Sequence, residues 1–127
     1  MGIRTISAGA MSVAMAAGCS PSSEAPVSRD AYPQYYAEFC ASCHGADATG
    51  TAQAPDLTRL SARNGGTFPI TEVMSQIDGY GRGGAMPEFG EYVLDDRQVA
   101  VELETGEVTT APERLVGMAE YLAGLQR

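Results

Sequence analysis

The chain has 127 residues, with 8 Arg, no Lys, 16 acidic residues and a formal charge of -8. One small domain fits this length, and so acidic a chain makes a poor phosphate-backbone binder, so no nucleic-acid partner is expected. Leu, Ile, Val and Phe together number 22, about 17% of the chain and below the roughly 20% at which a highly charged sequence starts to look disordered. Side chains alone therefore give a thin core, and no apolar run is long enough to cross a membrane.

Residues 1–18 read as a signal peptide, because Arg4 precedes a mildly apolar, small-residue run from Ile6 to Ala17. The stretch Ala16-Ala17-Gly18-Cys19 resembles a bacterial lipobox, in which the Cys becomes the lipid-carrying first residue of the mature protein, although Ala16 stands where Leu is usual. The alternative is ordinary secretory cleavage within Ala14-Met15-Ala16, which leaves Cys19 as a free thiol. Both readings export the protein to the periplasm, and lipidation of Cys19 adds a membrane anchor. Residues 19–29 have the Ser, Pro, Glu and Ala composition of a flexible tether. The domain is expected over 30–127, and the chain from Cys19 onward carries 7 Arg against 16 acids, a charge of -9.

Asp30 is expected to cap a first helix, with Pro33 in its first turn and Tyr32, Tyr36, Phe39, Cys40 and Cys43 following at helical spacing. A Gly, Ala and Thr loop runs to Pro55. Asp56 to Arg63 predicts a short helix, and Thr71 to Ile77 predicts another that Asp78-Gly79 ends. No regular element is expected from Gly79 through the Ala85-Met86-Pro87 loop. Alternation at Val99, Val101 and Leu103, a turn at Thr105-Gly106 and Val108 beyond it predict a small β-hairpin within 98–110. Thr110 and Glu113 then read as a capping box for a last helix whose apolar stripe is Leu115, Met118, Ala119, Leu122 and Leu125.

The chemistry concentrates in Cys40-Ala41-Ser42-Cys43-His44. Two thiols three residues apart share one helical face, spaced to bond two neighbouring vinyl groups of one porphyrin, and the next residue can turn its imidazole onto the iron. This C-x-x-C-H pattern is the attachment signature of one covalent haem c, with Cys40 and Cys43 as thioether carriers and His44 as proximal ligand. A large apolar macrocycle also fills the centre that the side chains leave thin. Structural zinc fails on inventory, because the only other Cys is Cys19 and there is no second His. A thioredoxin-like dithiol fails on context, because a helix rather than a strand leads into the motif.

Any methionine that completes the iron coordination comes from Met74, Met86 or Met118. Met74 and Met118 sit on apolar helix stripes and read as core filler. Met86 lies in an irregular Gly-rich loop that Pro87 stiffens, a setting that holds a side chain for a ligand, so it is the expected axial sulfur. Arg82, Tyr80 and Arg63 are weaker candidates for the haem propionates. The carboxylates at Glu88, Glu91, Asp95, Asp96, Glu102, Glu104 and Glu107 read as a solvated acidic face rather than paired catalytic acids.

From Tyr32 to Gln126 the sequence resembles the small monohaem class I cytochromes c of Gram-negative bacteria. The resemblance rests on a helix ending in Cys-Ala-Ser-Cys-His-Gly at 40–45, Pro-Asp-Leu-Thr at 55–58, Ala-Met-Pro-Glu-Phe-Gly at 85–90 and Met-Ala-Glu-Tyr-Leu at 118–122. It implies a mostly α, single-domain cytochrome c fold packed around haem; the hairpin segment 98–110 departs from it, being longer than the minimal fold needs, and stands as an insertion before the C-terminal helix. It also implies that the Pro55 carbonyl accepts the Nδ1 proton of His44, and that Tyr36 meets Tyr121 where the first and last helices cross. Tyr32 departs from the family, many of whose members have a small Gly there. The expected function is a one-electron carrier that does no bond chemistry on a substrate, serving redox partners with a basic docking surface. A haem-based gas or small-ligand sensor and an electron-accepting subunit of a periplasmic dehydrogenase remain the alternatives.

Overall fold

The chain enters its fold at Ser28, whose hydroxyl accepts the Asp30 N–H at 3.3 Å and starts one 3-10 turn, Arg29–Ala31. Asp30 thus sits inside this turn, and the first α-helix beyond it has Ala31 at its N-cap with no side-chain cap, so the capping expected of Asp30 is absent. The computed structural model describes residues 25–79 and 81–127, so the expected signal peptide, Cys19 and Tyr80 lie outside the described residues. Helix α1, Tyr32–Phe39, carries Pro33 in its first turn, where a missing N–H costs nothing. The chain pauses at Cys40 and resumes as the short α2, Ala41–His44.

The expected helix over 56–63 shrinks to α3, Leu60–Arg63. Asp56 Oδ1 instead accepts from the N–H and the hydroxyl of Thr58, at 2.7 and 2.6 Å, the local side-chain bonding by which Asp competes with helix. Helix α4, Ile70–Asp78, runs one residue further at each end than expected and stops at Gly79, which takes a left-handed φ of 76°. A Cβ at Gly79 would press on Glu88 Cα at 2.8 Å, so the close return of the chain also requires glycine there. One 3-10 turn, Gly90–Val93, leads to strand β1, Gln98–Glu102, which pairs antiparallel with β2, Val108–Pro112. The expected hairpin is present, with its second strand running to Pro112.

Helix α5, Glu113–Gly124, follows β2 with no intervening residue. The expected capping box is therefore absent: Thr110 is a strand residue opposite Ala100, and Glu113 is the first residue of the helix. A carboxylate from elsewhere in the chain takes over, since Asp96 Oδ2 accepts the Arg114 N–H at 2.8 Å. The fold is mostly helical with one small two-stranded sheet, and α5 is its centre, packing on α1, α4 and both strands.

Tyr32, Tyr36, Ala48, Val73, Met74, Val101, Leu115, Val116, Met118, Ala119 and Leu122 form the buried core, so Met74 and Met118 are packed as their helical stripes predict. Full burial of one such Leu stabilises by about 2 kcal/mol. The small residue at the α1–α5 crossing sits on the other helix from the one expected: Gly117 receives the ring of Tyr32, and a Cβ there would overlap Tyr32 Cζ and Oη. The Tyr32 hydroxyl donates to the Glu113 carbonyl at 3.3 Å. Beside it, Tyr36 and Tyr121 meet with ring centroids 5.9 Å apart. Burial pushes the Tyr36 phenol up to about 12, and its hydroxyl donates to the Gly45 carbonyl at 2.7 Å. Phe39, which shares the helical spacing of Tyr32 and Tyr36, is not buried with them: it is 48% exposed and lies edge-on to Phe89 at 6.2 Å.

Candidate cofactor site

One helical turn presents the motif. The N–H groups of Cys43 and His44 both reach the Cys40 carbonyl, at 3.2 and 3.0 Å, which fixes the two thiols three residues apart on a continuous turn. Cys40 is half-buried and Cys43 exposed, and burial raises the Cys40 thiol above its ordinary value. The His44 ring is buried, with Nδ1 2.9 Å from the Pro55 carbonyl oxygen. That acceptor assigns the proton of the neutral ring to Nδ1 and leaves the Nε2 lone pair for a metal.

The loop between them is braced by its own backbone. Gly50 N donates to the His44 carbonyl at 2.9 Å, Leu57 N to Ala48 at 2.8 Å, and the Thr51 hydroxyl to the Cys43 carbonyl at 2.6 Å. Gly50, with φ of 86°, lies so close to the opposite side of the loop that a Cβ would meet Asp56 N at 2.6 Å and Pro55 C at 2.8 Å. A side chain there would push Pro55 off the imidazole. Gly50 is not distinguishable in the sequence, because the loop offers several small residues and only the close approach to Pro55 sets this one apart.

A cleft of about 240 Å³ opens beside this turn, lined by Cys40, Ile77, Met86, Phe89, Leu115 and Met118 among others. The structure thus brings Cys40 and Met86 together on the walls of one apolar cleft, while Cys43, His44 and Pro55 stand outside its lining. Met86 is half-buried, and its Sδ lies 3.8 Å from Gln76 Nε2. Gln76 is a second residue that the sequence does not single out, since a polar side chain between Ser75 and Ile77 on α4 carries no apolar spacing signal. Met118 belongs to the core and to the cleft at once. The donor set fits a haem: two thiols at thioether spacing, a buried imidazole with Nε2 left for a metal, and a thioether in an apolar cleft.

Two propionate candidates are occupied elsewhere. Arg82 is taken up by α4, donating to both Glu72 carboxylate oxygens at 2.8 and 3.0 Å, to Ser75 Oγ and to Gln76 Oε1. Arg63 donates to the Asp56 carbonyl, and Tyr80 is outside the described residues. The acidic residues are not all a solvated face either. Asp96 is nearly buried and faces Arg114 at 3.7 Å. Glu104 is exposed as expected, and its own backbone N–H, then the Thr71 hydroxyl at 2.8 Å, hold its carboxyl below the ordinary value. Glu88, Glu91, Asp95, Glu102 and Glu107 are exposed. Among the described residues, no group of three or more Cys, His, Asp or Glu is placed to hold a metal ion, and no helix is long and apolar enough to cross a membrane.

Residues 30–101 match the family described as cytochrome C oxidase, cbb3-type, subunit III. A stretch of 58 residues is 47% identical to the Cbb3-type cytochrome c oxidase subunit CcoP of Rhodobacter capsulatus, covering 44% of this chain and 18% of that protein. The chain therefore matches less than a fifth of that relative's length. No solved structure matches. Strand β2 and helix α5 lie beyond the residues matched to the family.

Proposed function

This chain belongs to the family of cbb3-type cytochrome c oxidase subunit III, an electron-transfer domain with covalent haem c, and from that premise we propose that it is a one-electron carrier with His44 and Met86 as axial ligands. Bound haem supplies a single chemistry, the reversible one-electron change of its iron. Cys40 and Cys43 would carry the two thioether bonds, His44 Nε2 the proximal bond and Met86 Sδ the distal one. Pro55 holds the imidazole in its tautomer, and Ile77, Phe89, Leu115 and Met118 keep water from the interior. No residue is poised for bond chemistry on a substrate in this reading.

The observation that carries it is Met86, whose sulfur-bearing side chain lines the same apolar cleft as Cys40. At the mouth of the cleft Phe39 and Tyr92 are exposed, Tyr92 at 72%, with Leu94 close by in sequence at 75%. Glu91 and Asp95 flank Tyr92 and Leu94 along the chain, with Glu88 just before them, and Glu38 adjoins Phe39. An apolar lip among carboxylates suits a redox protein with a basic docking face. The relative is named as an oxidase subunit, and the reading for this chain is electron delivery toward such an oxidase. Export, with a lipid on Cys19 and the residues before Val27 as tether, sets the domain at the periplasmic face of a membrane; the expected tether over 19–29 ends early, because Val27 N–H donates to Glu113 and Arg29 opens the first turn.

The test is ligation. Reduced wild type should be six-coordinate and slow to bind carbon monoxide, and oxidised wild type should show the weak far-red absorption of iron bound to methionine sulfur. Met86→Ala should lose that absorption and bind carbon monoxide quickly, while Met74→Leu keeps both properties. Rapid binding by wild type, unchanged in Met86→Ala, would replace the carrier reading with that of a ligand sensor.

A further inference from the structure

We infer that Gln76 sets the donor strength of the Met86 sulfur, and that Arg82 holds Gln76 in position to do so. The inference rests on the reading of Met86 as distal ligand. Gln76 Nε2 lies 3.8 Å from Met86 Sδ, within reach of an N–H to sulfur hydrogen bond. The other end of the same amide, Oε1, accepts from Arg82 Nη1 at 3.1 Å. A guanidinium only donates, so the amide oxygen must face Arg82 and the amide NH₂ must face the sulfur. The network, not a free choice between two flips, orients this side chain.

Arg82 is itself pinned. Glu72 takes two of its N–H groups at 2.8 and 3.0 Å and Ser75 Oγ lies 3.2 and 3.0 Å from two of its nitrogens. Ser75 and Gln76 follow Glu72 on α4 by three and four residues, so a single helix face presents all three to one guanidinium. The relay therefore runs Glu72, Arg82, Gln76, Met86. Arg82 also lies four residues before Met86, so the clamp fixes the start of the loop that carries the sulfur.

A thioether sulfur has two lone pairs. An N–H on one of them leaves the other for iron and withdraws electron density from it, and a weaker sulfur donor disfavours the oxidised metal. Gln76 is thus a positioning residue that raises the reduction potential through Met86, a lever of hydrogen bonding rather than of ligand identity.

The experiment uses the full haem-loaded chain and reads the potential and the far-red absorption. Gln76→Leu should keep the far-red absorption but shift it, and should lower the equilibrium constant for reduction by about threefold to tenfold, where tenfold is 59 mV for one electron. Arg82→Lys keeps the charge but loses the fork, and should lower the constant in the same direction by less. Added to Gln76→Leu it should do nothing more, because its effect passes through the amide. Arg82 is exposed, so Arg82→Lys still reports if Gln76→Leu fails to accumulate, and a wild-type potential and absorption in it would then overturn the inference. Wild-type potential and absorption in Gln76→Leu would likewise overturn it, and full additivity of the two changes would remove Arg82 from it. Those results differ from failure of the Met86 reading, in which wild type itself lacks the far-red absorption.

Discussion

Gly117→Ala is expected to destabilise the protein, against the ordinary preference of helices for alanine. In a helix interior Ala is favoured over Gly by about 0.8–1.0 kcal/mol, and Gly117 is an interior residue of α5. The new methyl group would, however, overlap Cζ and Oη of Tyr32, which is only 4% exposed, so the ring must shift toward the neighbouring hollow of about 280 Å³ and give up its present packing. Overpacking of this kind costs about 1–3 kcal/mol. Displacing the ring also breaks the Tyr32 to Glu113 hydrogen bond, worth about 1 kcal/mol. The balance is a loss of about 1–3 kcal/mol, or a fall in Tm of about 5–15 °C for a domain of this size. Thermal unfolding followed by far-UV circular dichroism measures it. Gly124→Ala serves as the internal control, since Gly124 ends the same helix with no atom within 4 Å of the place its methyl group would take, and it should be neutral or slightly stabilising. A Gly117→Ala protein as stable as wild type or more so would refute the account of the crossing.

Stability should also depend on pH through Glu113. Arg97, at 2.5 Å, and the Val27 N–H hold its carboxyl below the ordinary 4.5. Folding therefore favours the ionised form: the contribution is full above pH 4.5 and is lost as pH falls through the lower folded value. Glu113→Gln should flatten the acid limb of stability against pH, and an unchanged slope would rule Glu113 out as its source. Electron transfer to a basic redox partner should slow as ionic strength rises, because the Debye length shrinks to about 8 Å at physiological salt. Tyr92→Ser should slow it at every salt concentration, and a rate indifferent to both changes would exclude the acidic, aromatic lip as the docking face.

Periodicity was legible wherever one chain segment decides its own structure. The hairpin, the stripe of α5 and the irregular loop around Met86 all follow from local alternation and turn residues, and the structure has each of them. Capping was less legible, because partners distant in sequence decide it. Asp96 reaches Arg114 across the hairpin, so the local Thr110 and Glu113 pattern carries no information about that helix start. The α3 boundary failed for the opposite reason, an Asp56 to Thr58 turn more local than the helix it displaces. At the site, the C-x-x-C-H spacing is local and fully readable. Arg82 was not, since a cation in a glycine loop looks available until Glu72 and Gln76 are seen to fill its fork.

The bonds that shape each half of the site are short in sequence. Eleven residues separate His44 from Pro55, and ten separate Gln76 from Met86. The bonds that seat the last helix over both halves are long, spanning 81 residues from Tyr32 to Glu113 and 69 from Leu57 to Gln126. Short loops close rapidly and at small entropic cost. The molecule is accordingly two prefabricated jaws and one late-closing bar. Neither jaw needs the bar for its own clasp: the His44 to Pro55 and Gln76 to Met86 bonds are made without any residue of α5, whereas the apolar wall of the cleft is not, since Leu115 and Met118 belong to the bar.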